Sequence, residues 1–62
     1  MLTQWVNQYG DALYSWAFHK TIDEAIAQDL VQETFIAAYQ KLDTFKNASS
    51  PKTWLFGILK NK

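Results

Sequence analysis

Residues 21–42, TIDEAIAQDLVQETFIAAYQKL, decide the fold, because their apolar residues recur at helical spacing. At about 100° per residue, the apolar residues gather on one side of a helix, which we expect to face the core. That side carries Ala27, Leu30, Val31, Thr34, Phe35, Ala38 and Leu42. The other side is an acidic, amide-rich surface that also holds two larger apolar groups, Ile36 and Tyr39. Its members are Asp29, Gln32, Glu33, Ile36, Tyr39 and Gln40.

We expect this helix to begin at Thr21. Thr21 and Glu24 have the spacing of a capping box, and Asp23 adds negative charge to the first turn. The helical pattern continues to about Leu42. One long amphipathic helix therefore occupies the middle of the chain.

A helix is also predicted on each side of it. The first runs from about Leu2 to His19, weakened at Gly10 by about 1 kcal/mol relative to alanine. Its buried stripe consists of Trp5, Tyr9, Ala12, Leu13, Trp16 and Ala17. After a loop at 43–50, Ser50 is a good N-cap and Pro51 suits the first helical position. The apolar residues of this third helix are Trp54, Leu55, Ile58 and Leu59.

The predicted fold is a small all-α, three-helix domain. Its last helix has no stop signal before the chain ends at Lys62, so we expect a helix truncated by the chain end and a longer parent protein. A chain of 62 residues makes one domain, and 48% of it is hydrophobic. Without cysteine, a signal peptide or an apolar run of about 18 residues, the sequence predicts no disulfide and no membrane segment.

Charge is distributed unevenly along the chain although the net charge is zero. Residues 1–40 hold five acidic residues and one lysine, whereas residues 41–62 hold five lysines and one acidic residue. This asymmetry indicates two different partners, or simply a solvated lysine face. We call residues 41–62 the basic end. It interleaves lysines and amides with three aromatic residues, Phe45, Trp54 and Phe56. Such a mixture suits single-stranded nucleic acid, but Phe45 and Trp54 could equally be core residues.

The residues give little support to an enzyme. His19 is the only histidine and is expected in a turn, as a helix C-terminal cap rather than a base. Asp29 and Glu33 are four residues apart, but no third ligand joins them, and metal sites need more than two. The sequence also has no glycine-rich phosphate loop. We therefore predict a protein that is not an enzyme and has no cofactor or metal.

Three stretches carry a family resemblance: AQDLVQETF at 27–35, KLDTF at 41–45 and SSPKTWLFGILKN at 49–61. In order and spacing they resemble region 2 of bacterial RNA polymerase sigma factors of the extracytoplasmic-function type, and Tyr9, Leu13 and Tyr14 resemble its first helix. The resemblance implies a transcription initiation domain spanning 1–62, without the helix-turn-helix region 4. It also implies a cytoplasmic location, a monomeric isolated domain and an anti-sigma factor as a further partner.

The resemblance also implies which residues meet each partner. The β′ clamp coiled coil of the polymerase core would contact Gln28, Asp29, Gln32, Glu33, Ile36 and Tyr39. The promoter −10 element, melted and captured as its single non-template strand, would contact Phe45, Lys46, Asn47, Ser49, Ser50, Trp54 and Asn61. Lys60 and Lys62 would contact phosphates.

Two departures from the family and two alternatives remain. Gly57 stands where the family often has arginine, and the chain contains no arginine, so lysines must supply every cationic contact. The main alternative is a helical protein–protein interaction module that does not bind DNA, such as a homodimer formed through an aromatic patch. A duplex-reading helix-turn-helix is disfavoured, because the loop at 43–50 exceeds a tight turn.

Overall fold

The computed structural model describes residues 2–45 and 50–61. Within these ranges the chain forms three α-helices: α1 (Leu2–Thr21), α2 (Glu24–Gln40) and α3 (Pro51–Lys60). A short 3-10 turn, Leu42–Thr44, follows α2. The all-α, three-helix prediction is confirmed. At the start of α3, the Ser50 side chain accepts a hydrogen bond from the Thr53 amide and Pro51 occupies the first turn, as the sequence predicts.

The junction between α1 and α2 corrects the predicted helix start. Thr21 is the last residue of α1, and its hydroxyl donates to the Ala17 carbonyl at 2.9 Å. Ile22 has a positive φ of 53°, which ends α1. Asp23, in extended backbone, is the N-cap of α2, and its carboxylate accepts from the Ile26 amide at 3.0 Å. The capping-box spacing at Thr21 was misleading because α1 continues two residues beyond His19.

The end of α2 also differs from the prediction. The helix ends at Gln40 rather than Leu42, with Lys41 as its C-cap. The Thr44 hydroxyl donates to the Lys41 carbonyl at 2.6 Å, and the Phe45 amide donates to the Leu42 carbonyl at 3.1 Å. These bonds tighten the chain into the 3-10 turn, which keeps Leu42 partly buried and returns Phe45 to the core.

The core lies where α1 and α2 pack as a helical hairpin and α3 closes over them. The buried residues are Trp5, Leu13, Ala17, Ala27, Thr34, Ala37, Ala38, Leu55 and Leu59. All members of the predicted stripes of α1 and α2 are buried or half-buried. Ala37, which neither predicted face of α2 included, is buried as well. Thr34 satisfies its hydroxyl by donating to the Leu30 carbonyl at 2.7 Å.

Candidate functional surfaces

The polar face of α2 is exposed along the whole helix. All six residues expected to meet a protein partner are exposed in the structure: Gln28, Asp29, Gln32, Glu33, Ile36 and Tyr39. Ile36 is 58% exposed and Tyr39 71% exposed, although both are large apolar groups. Exposed apolar side chains that are grouped and rimmed by polar residues are typical of interaction sites. We call these six residues the α2 face.

A groove between α1 and α2 borders the α2 face. It has a volume of about 520 Å³ and includes Gln32 and Ile36 in its walls, together with Val6, Gly10, Asp11, Val31 and Phe35. Gly10 leaves open space here, since a Cβ at this position would meet nothing within 4 Å. Sequence reasoning missed this groove because two helices far apart in sequence form it.

Three aromatic rings from three parts of the chain pack together at the basic end. Trp5 of α1 meets Phe45 edge-to-face, with ring centroids 5.4 Å apart, and meets Trp54 of α3 at 6.1 Å. Phe45 and Trp54 are themselves 5.1 Å apart. We call these residues the aromatic cluster. Trp5 is only 7% exposed, while Phe45 and Trp54 are half-buried, so the cluster joins the core and still reaches the surface.

The aromatic cluster bears on the nucleic-acid residues expected from the sequence. Phe45 and Trp54 both pack inward on Trp5, so both rings contribute to the core. Ser50, Lys60 and Asn61 are exposed. The remaining expected residues lie outside the described part of the chain: Lys46, Asn47, Ser49 and Lys62.

A second groove lies between the end of α2 and α3. It has a volume of about 400 Å³, and its walls are Ala37, Lys41, Thr53, Trp54, Gly57, Ile58 and Asn61. We call it the α2–α3 groove. Trp54 and Asn61 were expected to meet nucleic acid, whereas Lys41 and Thr53 were not. The charge pattern held a signal for Lys41, since the basic part of the sequence begins at that residue.

The α2 face and the α2–α3 groove lie on adjoining sides of α2. Ala37 is about 180° around the helix axis from Gln28 and about 140° from Gln32, but only about 40° from Glu33. Glu33 therefore lies at the edge of the α2 face that borders the groove, and the two surfaces are centred on different sides of the same helix.

His19 and the carboxylates have ordinary structural surroundings. His19 lies in the last turn of α1 rather than in the following turn, and its Nδ1 is 2.7 Å from the Ser15 carbonyl. Asp29 and Glu33 are exposed on the α2 face. In residues 2–45 and 50–61, no three His, Cys, Asp or Glu side chains group as metal ligands. None of the helices described is both long and apolar enough to cross a bilayer.

Comparison with known proteins identifies the class of this domain. The sequence profile of sigma-70 region 2 matches residues 5–62. A probable RNA polymerase sigma factor of Haemophilus influenzae is 57% identical over 37 residues, covering 60% of this chain and 19% of the relative. The RNA polymerase sigma factor NccH of Alcaligenes xylosoxydans is 41% identical over 95% of this chain and 32% of the relative. No solved structure matches the chain.

The chain belongs to the sigma-70 region 2 family, in its extracytoplasmic-function type. The ECF RNA polymerase sigma factor SigX of Bacillus subtilis supports that type, being 36% identical over 86% of this chain and 27% of its own length. The chain spans between about a fifth and a third of the length of these relatives.

Proposed function

We propose that this domain acts in bacterial transcription initiation by binding two partners at once. The α2 face binds the clamp coiled coil of the β′ subunit of the RNA polymerase core. The segment that follows α2, together with α3, melts the promoter −10 element and captures its non-template strand. The observation that carries the proposal is the exposure of the complete α2 face in a domain of this family.

The chemistry of the α2 face suits a helical protein partner. Ile36 and Tyr39 are the apolar groups that such an interface buries at its centre, since energetic hot spots are apolar or aromatic and well packed. Asp29 and Glu33 add two negative charges at their side, which favours a partner surface carrying lysine or arginine. Gln28 and Gln32 donate and accept hydrogen bonds at the rim.

The basic end suits single-stranded DNA. The aromatic cluster packs Phe45, which precedes residues 46–49 in the chain, against Trp54, which follows them, so the chain is anchored to the core on both sides of these residues. An extruded base is stabilised when a pocket and stacking replace its partners in the duplex. Lysines near the strand neutralise phosphates and give affinity without sequence preference. We therefore assign base preference to residues 46–50 and uniform affinity to Lys60 and Lys62.

The isolated domain is expected to bind DNA weakly. It offers few cations, and the acidic residues of 1–40 repel the phosphate backbone. We expect affinity in the non-specific range, about 10⁻⁴–10⁻⁶ M, with a shallow dependence on salt. In the whole protein, binding to an anti-sigma factor and reading of a −35 element by region 4 belong to the same proposal.

The exposed Ile36 and Tyr39 also favour a second candidate, a helical interaction module that does not bind DNA. In that case the α2 face would bind a protein, and the basic end would be an ordinary solvated surface. Binding of a single-stranded −10 oligonucleotide separates the two, since only the sigma function requires it.

The test of polymerase binding uses two double variants with the same change in composition. Gln32→Ala with Ile36→Ala alters the α2 face, whereas Gln8→Ala with Ile26→Ala alters exposed helical positions outside it. Ile26 is 50% exposed and Ile36 is 58% exposed, so replacing either with alanine should change the stability of the domain by a similar amount.

We expect the α2-face variant to lose binding to a β′ clamp coiled-coil fragment in isothermal titration calorimetry, while the control binds as the unaltered chain does. Both should keep their melting temperatures, because exposed substitutions change stability by about 0.5 kcal/mol or less. Equal binding by both variants would refute the assignment of the α2 face.

A further inference from the structure

We propose that this domain associates with itself head to tail: the acidic α2 face of one copy binds one side of α3 in the next copy. That side of α3 carries Lys52, Phe56 and Lys60, which we call the α3 row. The contact needs neither polymerase nor DNA, so it goes beyond the proposed function and can be measured without either partner. It also gives a role to Phe56, an aromatic residue of the basic end that the proposed function does not use.

The α3 row forms a continuous stripe along one helix. Its members are four residues apart, and residues at this spacing lie about 40° apart around an α-helix and roughly 6 Å apart along it. Lys52 and Lys60 are exposed, whereas Phe56 is half-buried against the core. The described walls of the α2–α3 groove include none of the three. The row therefore places an aromatic ring between two cations, outside that groove.

The α2 face carries the complementary groups. Asp29 and Glu33 are exposed and four residues apart, so they too lie about 40° apart on one side of their helix. Ile36 is 58% exposed and lies three residues beyond Glu33, a spacing at which side chains of a helix are neighbours. The α2 face thus offers two negative charges beside an exposed apolar group.

The two surfaces fit each other when one copy lays its α3 row across a neighbour's α2 face. Phe56 then covers Ile36, and each lysine lies near a carboxylate. Lys52 and Lys60 are about 12 Å apart along α3 and the carboxylates about 6 Å apart along α2, a difference that the flexible four-carbon stems of the lysines span. Protein interfaces commonly have this composition, with complementary charges around an apolar centre.

Charge determines which surfaces meet. Two α2 faces would oppose four carboxylates, and two α3 rows would oppose four ammonium groups; like charges facing each other across an interface disfavour binding. The favourable contact therefore joins unlike surfaces, which leaves one α2 face and one α3 row free at the ends and allows further copies to add. The net charge of zero means that no overall repulsion keeps the copies apart.

The contact is small and depends on salt. The 10 residues of α3 span about 15 Å, so one side of this helix falls well short of the roughly 800 Å² per partner that stable interfaces bury. The dilute domain is therefore monomeric, as the family resemblance implies, and copies meet when they are concentrated. Each contact covers an α2 face and also Lys60, so polymerase and single-stranded DNA should both compete with it.

The first experiment is sedimentation equilibrium of the chain at rising protein concentration and at several salt concentrations. We expect the mean mass to exceed that of one chain at about 0.01 M salt and to return to it at about 1 M, because the screening length falls from about 30 to about 3 Å. A mean mass of one chain under every condition would overturn the proposal. Association that strengthens with salt would do the same, since it would indicate an apolar contact in place of the charged one.

Neutral variants of the α2 face test one half of the contact. Asp29→Asn with Glu33→Gln removes two charges from the face, and Asp11→Asn with Glu24→Gln removes two from exposed positions outside it, so both variants have the same net charge. We expect the first to weaken association about twofold to thirtyfold, the effect of losing two exposed ion pairs, and the second to weaken it less. Equal losses, or stronger association of the first variant through two α2 faces, would contradict the head-to-tail contact.

Neutral variants of the α3 row test the other half. Lys52→Gln with Lys60→Gln should weaken association by the same factor, whereas Lys20→Gln with Lys41→Gln, which alters exposed lysines outside the row, should weaken it less. Circular dichroism should show all these variants folded, because the substituted positions are exposed. Equal association of the row variant and its control would remove the α3 row from the contact and overturn the proposal. Clamp binding is measured separately on the dilute, monomeric domain, so the polymerase proposal stands or falls without this one.

Discussion

Replacing Phe45 by leucine tests how the domain presents its DNA-binding end. Phe45 meets Trp5 and Trp54 at centroid distances of 5.4 and 5.1 Å. Leucine keeps most of the apolar volume but loses both aromatic pairs, each worth about 0.5–1.5 kcal/mol. The expected loss is therefore about 1–3 kcal/mol. At about 0.05–0.15 kcal/mol per residue, the whole domain has a stability of about 3–9 kcal/mol, so at the middle of both ranges a loss of about 2 kcal/mol leaves the variant folded.

Phe18→Leu is the matched control for this substitution. Phe18 is also half-buried and also has two ring neighbours, Tyr14 at 6.1 Å and His19 at 6.3 Å, but it lies near the end of α1 and is not part of the aromatic cluster. Thermal unfolding followed by circular dichroism should show a lower Tm for Phe45→Leu, by roughly 4–24 °C at 4–8 °C per kcal/mol. The control should lose a similar or smaller amount.

Local opening distinguishes the two phenylalanine variants. If Phe45 holds the start of α3 through Trp54, its loss should speed hydrogen exchange at the amides of Thr53 and Trp54 more than elsewhere. Phe18→Leu should leave those two amides as they are. A Phe45→Leu variant with unchanged Tm and unchanged exchange at α3 would refute the anchoring role of the aromatic cluster.

Substitutions at helix ends and glycines provide further tests, each read by chemical denaturation. Ile22→Gly should stabilise the domain by about 1 kcal/mol, because a β-branched residue at a φ of 53° is strained, and a loss of stability would contradict this. Asp23→Ala should lower the free energy of unfolding by about 0.5–2 kcal/mol, and by more than Thr21→Ala does, because Asp23 is the N-cap of α2. A larger loss from Thr21→Ala would indicate that Thr21 caps the helix instead. Gly10→Ala and Gly57→Ala should each raise the free energy of unfolding by up to about 1 kcal/mol, because a Cβ at either position meets nothing within 4 Å. A loss of stability in either variant would contradict the open space at that glycine.

The spacing of apolar residues predicted the three helices well, because the core consists of side chains that recur at helical spacing on one side of each helix. Every residue assigned to the two apolar stripes is buried or half-buried, since helical spacing determines which side chains share a side, although Ala37 was missed and Leu42 lies in the 3-10 turn after α2. The helix ends were harder to predict. Ile22 ends α1 in a conformation that its side chain disfavours, so no glycine or asparagine marked the junction and the cap was assigned to Thr21 instead of Asp23.

Of the candidate surfaces, the sequence predicted the one that lies on a single helix and missed those formed between helices. Exposure of the α2 face follows from the pattern of one helix, and the structure has every member exposed. Both grooves escaped prediction, because each is formed by residues from two helices and depends on how those helices pack. The packing of Phe45 and Trp54 against Trp5 also required the fold, since composition alone left core and base-stacking roles equally open.

The most direct measurement of the central claim is an NMR map of the interface with RNA polymerase. The labelled chain is titrated with an unlabelled β′ clamp coiled-coil fragment, and the shift of each amide is recorded. We expect the perturbed amides to follow the α2 face from Gln28 to Tyr39, while those of Thr53, Trp54 and Asn61 on the α3 side of the α2–α3 groove stay unchanged. A map centred on α3, or no perturbation at concentrations where the fragment is folded, would contradict it.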